Sequence, residues 1–151
     1  MIDPRDLYHT GIVVAHLEEA AREFTDATGV TWRPERRTTV QTTTGMGVLT
    51  VPFRMLYSVQ GPPFIELIEG IPGTIWSAQG GNRLHHLGYW AADVAAESER
   101  LEALGLRREG GDGEPGGLPQ NFSYHSTANG IFVELIGKSG RSARFPDVYQ
   151  D

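Results

Sequence analysis

The stretch Tyr8-His9-Thr10-Gly11-Ile12-Val13-Val14-Ala15 decides the fold, because the chain repeats it as His85-His86-Leu87-Gly88-Tyr89-Trp90-Ala91-Ala92. A second pair follows in the same order: Phe64-Ile65-Glu66-Leu67-Ile68 returns as Phe132-Val133-Glu134-Leu135-Ile136. Each copy opens on a Val/Ile- or aromatic-rich strand with a histidine near its start and closes on an apolar strand with one glutamate. Two copies supply two imidazoles and two carboxylates, a donor set suited to a borderline divalent ion such as Zn, Ni, Co, Fe or Mn.

Between these anchors the first copy reads as β-α-β-β-β. A strand covers Tyr8 to Ala15. A helix over Leu17 to Thr28 follows, with Leu17, Ala20, Ala21, Phe24 and Ala27 on one face and Gly29 as its stop. Arg37 to Thr44 reads as a strand. Arg54 to Gln60 and Phe64 to Glu69 read as a hairpin through Gly61-Pro62-Pro63. A connector over Ile71 to Gly81 contains a short helix over Thr74 to Gln79. The second copy has a strand from Leu84 to Ala91, then a helix from Val94 to Leu104 with Asp93 as N-cap. Leu106 to Glu109 reads as a brief strand and Gly110 to Gly117 as a flexible loop. Asn121 to Ser126 and Ile131 to Ile136 form the last hairpin, turning at Asn129-Gly130. The organisation is one domain over 1–151: a first module at 7–70, a connector at 71–83, a second module at 84–137 and a polar tail at 138–151. The repeat spacing of about 70 to 77 residues is too long for a solenoid and reads as a duplicated half-domain.

Composition bounds the function. The net charge is −6, with no basic patch for nucleic acid. No apolar run approaches the ~18 residues of a membrane span, and no secretory pattern opens the chain. Cysteine is absent, which removes disulfide and thiolate chemistry. These features predict a cytoplasmic protein with neither nucleic acid nor membrane as a partner.

Strand parity selects the donors. Residues two apart share a face, so His9, Gly11 and Val13 stand together, as do His86, Gly88 and Trp90. The repeat register makes His86 the counterpart of His9, and Glu134 that of Glu66. His85 has the opposite parity and is expected to pack on the helix side or cap a backbone group. Each residue alone has ordinary uses: a histidine at a strand start as a hydrogen-bonded residue, a glutamate as an edge-strand guard. The doubled arrangement, and the cost of burying two unpaired carboxylates, favour a metal.

The four motifs, in this order, resemble the vicinal oxygen chelate superfamily of glyoxalase I, methylmalonyl-CoA epimerase, extradiol dioxygenases and the fosfomycin and bleomycin resistance proteins. The likeness covers residues 7–137. Within it, Ile65-Glu66-Leu67-Ile68-Glu69-Gly70 followed by Gly80-Gly81-Asn82-Arg83-Leu84-His85-His86 is most similar to methylmalonyl-CoA epimerases. The resemblance implies an α+β fold: two tandem βαβββ modules forming a cupped mixed sheet, with His9, Glu66, His86 and Glu134 converging in the cup on one divalent ion. It further implies proton-transfer chemistry, as a lyase or isomerase, on a small carbonyl substrate chelated there, with Glu134 and Glu66 as ligands and bases, and a homodimer. Trp90 and Phe132 have the parity to wall a substrate pocket or to pack the core. Tyr57 joins the pocket set, and His125 either reaches the cup or is structural. The alternatives are an extradiol-type dioxygenase and a non-catalytic binding or resistance protein. One departure from the epimerases stands out: they carry a second acid on the strands before the first glutamate, and Thr38 to Gln60 contains no Asp or Glu.

Overall fold

A computed structural model describes residues 1–150. The element order is β1 (Leu7–Val14), α1 (Leu17–Thr28), β2 (Arg36–Thr44), β3 (Gly47–Tyr57), β4 (Phe64–Glu69), β5 (Arg83–Ala91), α2 (Val94–Ala103), β6 (Arg107–Gly111), β7 (Phe122–Ser126), β8 (Phe132–Gly137) and α3 (Arg141–Arg144). Each half is therefore βαβββ. All eight strands join one sheet in the order β2-β3-β4-β1-β5-β8-β7-β6. The halves meet at an antiparallel β1–β5 seam, and within each half the first strand runs parallel to the last, β1 beside β4 and β5 beside β8. The two edge strands come back toward each other. Thr42 Oγ1 of β2 accepts the Gly111 N–H of β6 at 3.1 Å, and Thr43 Oγ1 donates to the Gly113 carbonyl at 2.5 Å. The sheet is thus curved into a nearly closed cup.

The helices cover the outer face. Leu17, Ala20 and Ala21 of α1 pack with Val14 and Leu67, while Val94 and Leu101 of α2 pack with Ala91 and Leu135. The duplicated register is visible here, because Leu67 and Leu135 occupy equivalent places. Gly29 ends α1 at φ 77°, where a side chain would be strained, and Asp93 caps α2 by accepting the Ala96 N–H at 3.0 Å. Ala27, expected on the packed face of α1, is exposed because the helix end overhangs the sheet.

Four sequence expectations are corrected. The third strand starts at Gly47, not Arg54, and forms a long hairpin with β2. Pro52 lies inside it at a point flanked by β2 alone, since pairing with β4 begins only at Met55, so a missing N–H is tolerated. The connector forms turns rather than a helix over Thr74 to Gln79. Thr74 Oγ1 donates to the Ile71 carbonyl and accepts the Trp76 N–H, a local bond pattern that competes with helix. The glycine-rich loop is tied down by Asp112, whose carboxylate accepts the backbone N–H groups of Gln120, Asn121 and Phe122. The polar tail, which shows no period in the sequence, is structured. It forms a 3₁₀ turn and α3, buries Phe145 against Tyr8, Tyr57 and Phe64, and pairs Asp147 with Arg33 at 2.7 Å.

Candidate metal centre

The β1–β5 seam crosses the two repeats over each other. His9 pairs with Gly88 and Gly11 with His86, while Gly11 also neighbours Glu66 and Gly88 neighbours Glu134. Each imidazole lies flat over the glycine of the other repeat. A Cβ on Gly88 would stand 2.0 Å from His9 Cε1, and one on Gly11 would stand 1.9 Å from His86 Cε1. Only glycine permits this approach.

The result is a compact, buried group. The Nε2 atoms of His9 and His86 are 2.6 Å apart. Glu134 Oε2 lies 3.0 Å from His9 Nε2 and 3.4 Å from His86 Nε2, and Glu66 Oε2 lies 3.2 Å and 3.1 Å from the same two atoms. The ligand atoms of His9, His86 and Glu134 all fall within 4.8 Å of one another. Glu66 stands outside that tighter trio although its oxygen touches both imidazoles. Both carboxylate oxygens aimed at the histidines are buried without a hydrogen-bond partner. Two buried carboxylates need compensating positive charge, and two imidazole nitrogens at 2.6 Å leave room for one proton, not two. This donor set fits a divalent cation.

In the metal-free site the four groups hold one another's charge. Burial alone disfavours the charged forms, yet the reciprocal attraction outweighs it. His86 is pushed up to about 9 and His9 is also raised, by the two glutamates. Glu134 is held down at about 2 and Glu66 well below its ordinary value, by the two histidines. Tyr57 and Tyr124 are raised by burial and by the nearby glutamates, so both phenols stay protonated.

A bulge in each half shapes the surroundings. Between Leu7 and His9 the register slips by one residue at Tyr8, and between Leu84 and His86 it slips at His85. The extra residue turns inward in both halves. Tyr8 stacks on Trp90 at 3.8 Å, and His85 stacks on Phe132 at 4.7 Å. His85 therefore does not face the helices as parity implies, though it does cap a backbone group. Its Nε2 is 2.9 Å from the Ile75 carbonyl and its Nδ1 is 2.9 Å from His86 Nδ1. Burial and the positive His86 hold His85 down at about 3, so it is neutral. The carbonyl can only accept, so His85 carries its proton on Nε2 and accepts from His86 Nδ1–H. That leaves His86 Nε2 as the atom facing the carboxylates.

The cup above the centre encloses about 190 Å³. Glu66 and Glu134 form part of its wall, with Phe53, Met55, Tyr57, Trp76, Phe122 and Tyr124 among the other lining residues. Tyr57 lines it. Trp90 and Phe132 do not. Trp90 is enclosed between Tyr8 and the tail's Tyr149, whose hydroxyl accepts its Nε1–H at 3.1 Å, and Phe132 is engaged by His85. His125 is likewise outside the cup, buried toward α2 with Nε2 at 3.0 Å from Ser98 Oγ and 3.1 Å from Ser123 Oγ. The tail's Arg144 lines the cup, and sequence reasoning missed it because a four-residue helix carries no periodic signal. Outside, Glu69 is ion-paired with Arg54 at 2.8 Å, and His16 is exposed.

No curated protein matches the chain. Among solved structures, methylmalonyl-CoA epimerase from Mycobacterium tuberculosis is similar at 21% identity and a TM-score of 0.61, over 95% of this chain and 97% of that one. A variant of Streptomyces coelicolor methylmalonyl-CoA epimerase in complex with 2-nitronate-propionyl-CoA is 16% identical at a TM-score of 0.59, over 87% and 96%. A variant of 4-hydroxymandelate synthase from Streptomyces coelicolor is 18% identical at 0.58, over 87% of this chain and 38% of that one. At these identities the likeness is one of fold. A family model described as Glyoxalase/Bleomycin resistance protein/Dioxygenase superfamily matches residues 8–124, more than half of the sequence, and the chain belongs to that superfamily.

Proposed function

We propose that this protein is a metal-dependent enzyme that moves a proton beside the carbonyl of a small chelating substrate, as a lyase or isomerase. His9, Glu66, His86 and Glu134 hold one divalent ion in this reading. The observation that carries it is the pair of buried carboxylate oxygens, each without a hydrogen-bond partner and each within 3.4 Å of both imidazoles. A divalent ion there would supply Lewis-acid polarisation of the substrate carbonyl. The chain supplies the rest. Glu134 and Glu66, held ionised by the histidines, are the bases in the cup. Tyr57, protonated and beside them, can donate a hydrogen bond to an oxyanion but cannot act as the base.

The test is metal analysis of purified protein and of two variants. One equivalent of metal is expected in the wild type, with a sharp loss in His86→Ala and in Glu134→Ala. Full occupancy in both variants would overturn the ligand assignment. One equivalent of metal with no proton exchange into any carbonyl substrate would favour a non-catalytic binding or resistance protein.

A second reading has its own support. His9, His86 and Glu134 are the tightest subset, and two histidines with one carboxylate suit an oxygen-activating iron site of the extradiol type. Glu66, 3.1 Å from His86 Nε2, adds a fourth donor and weighs against it. Oxygen uptake by the iron-loaded protein in the presence of catechols separates the two. Homodimerisation and a cytoplasmic location belong to the same proposal.

A further inference from the structure

The basic residues of this acidic protein are mostly neutralised. Arg5, Arg33, Arg37, Arg54, Arg100 and Arg107 each hold a carboxylate within 3.0 Å. Arg144 is different. It is half-buried, lines the cup that contains Glu66 and Glu134, and has no hydrogen bond or ion pair among the described residues. Arg36, on the cup's rim, is also without one. The cup therefore presents unpaired donors and, apart from the two glutamates aimed at the histidines, no carboxylate to satisfy them.

Charge sharpens the point. Two carboxylates, two neutral imidazoles and one divalent ion sum to zero. With the centre so filled, the guanidinium groups are the surplus charge of the cavity. Burial strips hydration from the Arg144 guanidinium; Glu134 and Glu66 offset part of that cost in the metal-free cup, and a divalent ion that neutralises them leaves an incoming anion as its counter-charge. The planar fork suits a carboxylate in particular. Arg144 is also held in place: the next residue, Phe145, is buried and stacked on Phe64 at 4.5 Å.

We propose that Arg144 is the anion anchor of the cup, and that the substrate is a small organic acid with chelating oxygens at one end and a carboxylate at the other. This rests on the metal-centre reading and deepens it. The cavity of about 190 Å³ limits the portion held inside to a few carbon atoms. Arg144 and Ile136 also line a neighbouring polar cleft of about 440 Å³, so the anchor stands where the cup opens outward.

Calorimetric titration of the zinc-loaded protein with 2-oxoglutarate and with 2-oxopentanoate tests this, since the two differ in the distal carboxylate. The wild type is expected to bind 2-oxoglutarate about tenfold more tightly or better. Arg144→Met should abolish that preference, and Arg144→Lys should retain part of it. Equal affinities in the wild type, or a preference that survives Arg144→Met, would overturn the proposal. Failure of the metal reading registers separately, as absence of bound zinc in direct analysis. The same comparison then runs on the metal-free protein with glutarate against pentanoate, where a preference lost in Arg144→Met sustains the anchor and no preference removes it.

Discussion

His9 and His86, 77 positions apart in the chain, bring their Nε2 atoms to 2.6 Å because each ring lies over the glycine that partners it across the β1–β5 seam. The centre is thus built by two strands that exchange space: a missing side chain on one makes room for an imidazole from the other.

Gly11→Ala and Gly88→Ala should each dismantle the centre from a position that offers no ligand. The added methyl would meet an imidazole carbon at about 2 Å, so the ring must leave. Metal content should fall as far as in a ligand variant, with a stability loss of about 1–3 kcal/mol from overpacking. Normal metal content in both variants would mean that the imidazoles have another way to reach the ion.

His85→Ala should keep the ion but hold it less tightly. His85 touches His86 through Nδ1 and fixes which nitrogen of His86 faces the carboxylates, so it orients rather than binds. Chelator competition should show a weakening of about 10- to 100-fold, the usual size for a group that orients a ligand. Complete metal loss in His85→Ala with full retention in His86→Ala would reverse the two roles.

Metal affinity should climb with pH up to about 9. In the metal-free protein His86 is raised to about 9, so its proton must leave before an ion binds. The same shift has the opposite sign for the metal-free fold. A raised folded-state pKa stabilises fully below the unfolded value of about 6.5, and that contribution disappears as pH rises through about 9. Chemical denaturation of metal-free protein at pH 6 and pH 9.5 should show the lower stability at the higher pH, with zinc affinity moving the other way. Parallel trends would contradict the proposed exchange of proton for metal.

Efficient epimerisation of methylmalonyl-CoA is not expected, despite the fold shared with epimerases. Two-base inversion needs a proton-transfer group on each face of the reacting carbon. The β2 and β3 residues lining the cup are Arg36, Thr38, Val40, Phe53, Met55 and Tyr57, none a carboxylate, and Tyr57 is held protonated. Solvent deuterium should enter methylmalonyl-CoA slowly, if at all, on the metal-loaded protein. Rapid exchange accompanied by inversion would show that a second base exists.

The duplication, the βαβββ order of each half and the matched parity of the paired residues were legible in the sequence, because they are local patterns; that His9, Glu66, His86 and Glu134 meet was what the family resemblance implied. Alternation puts His9 with Gly11 and His86 with Gly88, and a glutamate set among the apolar residues of a strand marks a face that cannot be plain core. Tertiary structure alone decided the rest. The two bulges turned Tyr8 and His85 inward, because a register slip is a property of a strand pair and leaves no mark on either strand by itself. Trp90 and Phe132, assigned to the pocket by parity, were claimed by those inward residues. Arg144 entered the cup through the tail, where Phe145 supplies the anchor: one buried aromatic ring in a polar segment has no period to reveal it, and only the assembled cup gives it a place to go.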